Sequence, residues 1–347
     1  MLSNKIGPYS ISVLVDNSSQ LDSALVFKQA TGVALQVFVK VDLGYHRAGL
    51  DYTTKAFDSL IKDTFLHEKH GSVTLVGFYT HAGHSYGGES DIAAIRLLIE
   101  EIEGLYNAAI QARPHDYARG QSQPRYILSV GATPTATSIQ NFVPQSHSGS
   151  SGEFRGLINK AKELIQRVKQ EFSLEIHAGV YLFLDMQQLA TKASPSANVE
   201  DPTGQRSKTS TADVALTIMA EVASLYGERD SPEALIAAGS LALGREPCKS
   251  YSGWGVVSDW GMDSKIDGEG RSGWQVGRIS QEHGILTKDS KFDGNPMKLT
   301  IGQKVKIWPN HACVAGAGFG WYLIVDSDLP DDRRDEIVDV WVRCRGW

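Results

Sequence analysis

The tightest spacing of soft metal ligands in this chain is His311-Ala312-Cys313. On an extended strand, residues i and i+2 project to the same face. A strand here would therefore let the His311 imidazole and the Cys313 thiolate hold one soft or borderline cation, zinc before others. A closed structural zinc site uses four protein ligands in paired motifs, and no second pair stands out. A metal at this point keeps open positions, which means Lewis-acid chemistry or substrate binding. The same spacing also arises by chance beside a loop after Pro309-Asn310, so spacing alone leaves both readings open.

A second group lies in FYTHAGHSYGG, where Tyr79, His81, His84 and Tyr86 crowd the exit of an apolar run. Ordinary packing would place one such ring there more readily than four. Further on, Gly131, Thr133 and Thr135 in SVGATPT, and His177, Gly179 and Tyr181 in EIHAGVY, supply backbone amides and hydroxyls. Small residues let the backbone approach an anion, and a following helix N-terminus adds its dipole. A phosphate site fits this pattern, although tight turns use the same residues. A third stretch runs from Lys40 to Leu50. It reads either as a strand ending in a solvated charged turn or as a loop that sends Arg47, set between Gly44 and Gly49, inward to an anionic oxygen.

These residues need elements to position them. From Ile11 to about Met186 the β-rich runs ISVLVD, VALQVFVKVDLG, VTLVGFYTHAG, RYILSVGATPT and LEIHAGVYLFLD alternate with stretches of near-3.6 period such as DIAAIRLLIEEIEGLYNAAIQA. Strand then helix, repeated, predicts parallel strands with crossover helices. The nearly continuous apolar runs predict a sheet buried on both faces. In α/β barrels the chemistry sits at the strand C-termini, where the groups above fall. From about Ser207 the pattern changes to short Gly-bearing strands without a long amphipathic helix, predicting a β-rich second domain. The expected division is 1–206 and 207–347, with a polar linker near 193–210 and loops near 114–124 and 143–153.

Composition narrows the function classes. The 347 residues are 41% hydrophobic, with 34 basic and 40 acidic side chains for a net charge of −6. That balance excludes a disordered chain and argues against a phosphate-backbone nucleic-acid binder. No apolar run approaches the ~20 residues needed to cross a bilayer, and nothing at the start reads as a secretion signal. Three scattered cysteines do not make a disulfide framework. The expectation is a soluble cytoplasmic protein.

Together, VKVDLGYHRAGL, YTHAGHSY, SVGATPT, EIHAGVYLFLD, SQEHG, PNHAC and the closing WVRCRGW resemble, in order, the D-serine dehydratase and D-threonine aldolase family. The resemblance implies a (β/α)8 alanine-racemase-like barrel that binds pyridoxal phosphate, followed by a β domain with a metal site. Aldolases of this family show His-x-Asp at the metal position and the eukaryotic D-serine dehydratases His-x-Cys, so His311 and Cys313 imply Zn²⁺ and dehydration. By resemblance Arg47 would contact the cofactor's phenolic oxygen, and Tyr79 and Tyr86 would line its ring. Thr133, Gly179 and the Val180 amide would hold the phosphate, and His177 would lie near the pyridine nitrogen or Tyr181. Glu282 and His283 would stand close to the metal. The implied reaction is β-elimination of water from D-serine to give pyruvate and ammonia, in a homodimer. Other readings are D-threonine aldolase-type cleavage of D-3-hydroxy amino acids and a non-catalytic relative. The family's Schiff-base lysine lies in a segment resembling RPHVKTHKT, and no such segment stands in these residues. Neither Lys5 nor Lys40 matches it, so the expected barrel is N-terminally incomplete.

Overall fold

A computed structural model describes residues 11–115, 125–142, 151–194, 209–262 and 270–344. Lys5 lies outside them, as does most of the expected linker and of the loops near 114–124 and 143–153. Contacts divide the chain into two units, Met1–Tyr181 with Thr191–Lys208, and Leu182–Ala190 with Thr209–Trp347. The segment Leu182–Ala190 precedes the expected 206/207 boundary yet packs with the second unit.

The first unit alternates strand and helix: β1 (Ser12–Val15), α1 (Ser18–Thr31), β2 (Leu35–Lys40), α2 (Lys55–Lys69), β3 (Val73–Tyr79), α3 (Asp91–Ala112), β4 (Ile127–Val130), α4 (Thr133–Thr137), α5 (Gly152–Glu171) and β5 (Ser173–Ile176). The longer helices start where a side-chain oxygen takes an otherwise unpaired N–H: Asn17 accepts from Ser19, Thr54 from Phe57, Ser90 from Ala93 and Ser151 from Phe154. On α5, Phe154, Ile158, Ala161, Leu164 and Val168 recur at helical spacing and are buried. With Ile95, Leu98, Ile102 and Leu105 of α3 they join Val37, Val39, Leu75, Phe78 and Leu128 of the sheet in one core. Each such side chain contributes roughly 1.5–3 kcal/mol by leaving water.

The five strands are parallel and adjacent in chain order, β1-β2-β3-β4-β5. Burial on both faces holds for β2–β4 and fails at the margin, where Val13 and Leu14 of β1 are 36% and 46% exposed. The register sets Lys40 beside Tyr79, Tyr79 beside Ser129 and Ser129 beside Glu175. Because Val39, Phe78 and Leu128 point into the helix-covered core, alternation puts that polar row on the opposite face of the sheet.

The second unit opens with α6 (Met186–Thr191) and continues through β6 (Ile218–Tyr226), β7 (Glu233–Ile236), α7 (Ser240–Leu243), β8 (Gly255–Ser258), β9 (Arg271–Ser280), β10 (His283–Lys288), β11 (Lys304–Pro309), α8 (Ala312–Ala317), β12 (Trp321–Val325) and β13 (Ile337–Val342). Six strands close an antiparallel barrel in the order β10-β7-β6-β11-β8-β9, and β12 pairs with β13 alone. Strand β6 alternates buried and exposed residues along most of its length. Val222, Ile236, Val276, Leu286, Val305 and Ile307 fill the interior, with the buried ion pair Arg271–Asp289 at 2.6 Å nearby in sequence on β9 and after β10.

Candidate functional site

In the first unit, the polar residues gather where β2–β5 end. The Tyr79 ring stacks on His177 at 4.3 Å between centroids with 9° between planes, and His81 lies 6.3 Å from His177. The Lys40 Nζ stands 5.7 Å from the Tyr79 ring centre and donates to the Val41 carbonyl at 2.9 Å. The Ser129 hydroxyl donates to Glu175 Oε1 at 2.5 Å. Having only one proton, that hydroxyl must accept from His177 Nδ1–H, 3.0 Å away. His177 Nε2 is then an acceptor, buried and without a hydrogen-bond partner. Burial first, and the neighbouring His81 second, push the His177 imidazole down to about 4. Burial and the Arg47 charge lower His81, so both rings are neutral at pH 7. Burial likewise lowers Lys40 and raises the Tyr79 phenol.

The remaining residues of the sequence-predicted group surround this stack or stand apart from it. Arg47 is exposed, its guanidinium 5.2 Å over the Tyr45 ring. Tyr86 is half-buried in the short 3-10 turn Gly83–Gly87. Thr133 and Val180 are brought together, the Val180 amide donating to Thr133 Oγ1 at 3.0 Å. At Gly179 a Cβ would meet nothing within 4 Å. Tyr181 is exposed and accepts from Gln140 Nε2 at 3.2 Å. Gly131 is indispensable for the approach of these loops: its φ is +140° and a Cβ there would sit 2.2 Å from the His177 carbonyl oxygen.

One residue that sequence reasoning missed holds the loops in place. Glu101 of α3 is 1% exposed. Its Oε1 accepts the Ala82 amide at 2.8 Å and the Gly131 amide at 3.2 Å, while Oε2 accepts the Thr135 hydroxyl at 2.8 Å. A single carboxylate thus ties the turns after β3 and β4, and burial raises its pKa to about 7. The available signal was its place in the stripe Ala94, Leu98, Glu101, Leu105, Ala108, a charge where the helix is otherwise apolar.

In the second unit, His311 and Cys313 do not share a strand. Strand β11 stops at Pro309, His311 is extended at φ −134° as the N-cap, and Cys313 lies in α8. The expectation of same-face projection along a strand is therefore corrected: the chain turns into a helix because the buried Asp185 carboxylate accepts the first helical amide, Ala312, at 2.9 Å. The same Oδ2 accepts from His311 Nδ1 at 3.2 Å. Burial first, then the Asp185 charge, raises the Cys313 thiol. Among the described residues no three His, Cys, Asp or Glu side chains form a metal-holding group. Glu282 accepts from Leu241 at 2.7 Å and Gly239 at 3.3 Å at the start of α7, and His283 is exposed.

Comparison with known proteins decides the family. Residues 215–325 match the putative serine dehydratase domain and residues 3–136 the alanine racemase N-terminal domain. The chain is 35% identical over 350 residues to D-serine dehydratase of Schizosaccharomyces pombe, covering 99% of this chain and 69% of that protein. The chain belongs to the D-serine dehydratase family. A second relative, D-serine dehydratase of Saccharomyces cerevisiae, is 32% identical over 342 residues, covering 97% of this chain and 69% of that one. A solved alanine-racemase-like protein from Idiomarina loihiensis superposes with a TM-score of 0.64 at 22% identity over 97% of this chain and 72% of that chain. In this D-serine dehydratase family member, the alanine-racemase-like α/β part carries the Tyr79–His177 stack and the β-rich C-terminal part carries His311 and Cys313.

Proposed function

We propose that this protein is a pyridoxal-phosphate- and zinc-dependent D-serine dehydratase, eliminating water from D-serine to give pyruvate and ammonia. The observation that carries the reading is the near-full-length likeness to two D-serine dehydratases at 35% and 32% identity. The residues fit both groups. His177 Nε2 is a buried acceptor that needs a donor, which a protonated pyridine nitrogen would supply, and the open space at Gly179 beside Thr133 and Val180 leaves room for a phosphate. A neutral imidazole and a thiolate form a donor set that selects zinc over harder cations. When bound, pyridoxal phosphate supplies an electron sink and zinc a Lewis acid that makes hydroxide a feasible leaving group.

The protein's own share is positioning and charge. Tyr79 and His177 present stacked planes, and the neutral imidazoles of His81 and His177 add no positive charge of their own there. By the family resemblance Arg47 would provide the cationic contact for the cofactor's phenolic oxygen, and Tyr86 would border its ring. His-x-Cys at the metal position favours dehydration over aldol cleavage. A cytoplasmic homodimer belongs to the same proposal; among the described residues no helix is long and apolar enough to cross a membrane.

The test is incubation with D-serine, pyridoxal phosphate and zinc while pyruvate is measured, using both this chain and one extended upstream to include a VKTHK-like segment. Pyruvate release, and 2-oxobutyrate from D-threonine, are expected. Glycine and acetaldehyde from D-threonine would replace the reading with an aldolase, and no product from either chain would end it.

A further inference from the structure

We propose that Asp185 is the positioning residue of the metal centre, fixing His311 as the Nδ1–H tautomer so that Nε2 is the atom presented to zinc. The inference rests on the proposed metal role of His311 and Cys313 but concerns a residue that carries no chemistry of its own in that role. An imidazole binds a metal through an unprotonated nitrogen, and the hydrogen bond made by the other nitrogen decides which one that is. Asp185 is completely buried, and its Oδ2 lies 3.2 Å from His311 Nδ1. A carboxylate only accepts, so the proton belongs on Nδ1.

Asp185 is itself held from every side. Oδ1 accepts the Gln188 amide at 2.9 Å, capping α6, while Oδ2 accepts the Ala312 amide at 2.9 Å, capping α8. The preceding residue, Leu184, sits at φ +50°, a left-handed conformation that costs a leucine free energy and persists only where the surroundings impose it. On the other side of the pair, Asn310 is 1% exposed. Its side chain donates to the Glu246 and Gly253 carbonyls at 2.8 and 2.6 Å and accepts from the Tyr251 hydroxyl, and its carbonyl accepts from Gln187 at 3.1 Å. The residue before His311 and the carboxylate behind it are thus both rigid, which is what a two-ligand metal site requires of its supports.

The experiment uses the full chain as wild type, Asp185→Asn and Asp185→Glu. Zinc affinity is measured by competition with a chromophoric chelator, and the His311 tautomer is read by ¹⁵N NMR on metal-free protein. Wild type should show Nδ1–H at His311 and bind zinc; Asp185→Asn, whose single side-chain oxygen can serve only one of the two helix caps and which loses the charge, should bind zinc about 10- to 100-fold more weakly, with far-ultraviolet circular dichroism confirming that the variant is folded. Asp185→Glu should recover part of the loss. Wild-type zinc affinity in folded Asp185→Asn would overturn the proposal while leaving the metal site standing. Failure of wild type itself to bind zinc would overturn the metal site and this role together.

Discussion

In the proposed metal site the sulfur of Cys313 would decide which cation is preferred, since thiolate is a soft donor and carboxylate a hard one. Cys313→Asp should therefore lower zinc affinity at least tenfold and narrow the gap to manganese, measured by competitive titration with both metals. A comparable choice is made by the carboxylate of Glu101. Its two oxygens serve two amides and one hydroxyl, and a glutamine can keep that set: its oxygen takes the Ala82 and Gly131 amides, and its nitrogen donates to Thr135, whose hydroxyl turns to the Ala132 carbonyl 3.1 Å away. Alanine leaves two buried amides unpaired at roughly 1–3 kcal/mol each. Glu101→Ala should thus lose about 2–5 kcal/mol in denaturant unfolding, and Glu101→Gln should be close to wild type at neutral pH.

The elements that meet at the strand ends give stability a pH dependence with two opposing parts. Folded Glu101 has its pKa raised to about 7 from 4.5, so between those values the folded state binds the extra proton and stability falls as pH rises. Folded His177 is lowered from 6.5 to about 4; there the unfolded state binds the extra proton and stability rises with pH. The windows overlap from about 4.5 to 6.5, where the two slopes cancel in part. Removing one should expose the other. Glu101→Gln should show unfolding free energy that climbs from pH 4.5 to 6.5 more steeply than wild type, whereas His177→Gln should fall over the same range. Identical slopes in all three proteins would mean that the two groups do not titrate as their burial requires. The elements carrying these groups were legible in the sequence: four of the five expected β runs contain a strand of the first sheet and the fifth, from Leu174, overlaps β5, which starts at Ser173, because a buried parallel strand must be apolar along its length. Glu101 was missed although it falls in the stripe of Ala94, Leu98, Leu105 and Ala108, because within IEEIEG a glutamate is first read as one of a run of surface charges.

At the scale of the whole molecule, what escaped sequence reading depends on contacts between distant positions. His311-Ala312-Cys313 has a spacing that alternation would put on one face of a strand, yet the deciding partner, Asp185, lies 126 residues earlier than His311 in a motif that suggested no role for it. The stack of Tyr79 on His177 arises from register across three strands, which no local pattern encodes. The fold was readable; the groups that orient the side chains of the proposed site were not. Another feature of this scale is the ribbon β12–β13. Trp321, Leu323, Val340, Trp341 and Val342 are 49–80% exposed, and an isolated two-stranded ribbon is only marginally stable in water. Apolar surface of this kind is characteristic of interfaces, and it supports the proposed homodimer as its occupant. Leu323→Lys combined with Val340→Lys puts two like charges at directly paired positions of the ribbon, where they repel each other and resist burial. Sedimentation velocity should find wild type as a dimer and the double variant as a monomer with the far-ultraviolet spectrum retained. A double variant that still sediments as a dimer would move the interface off this ribbon.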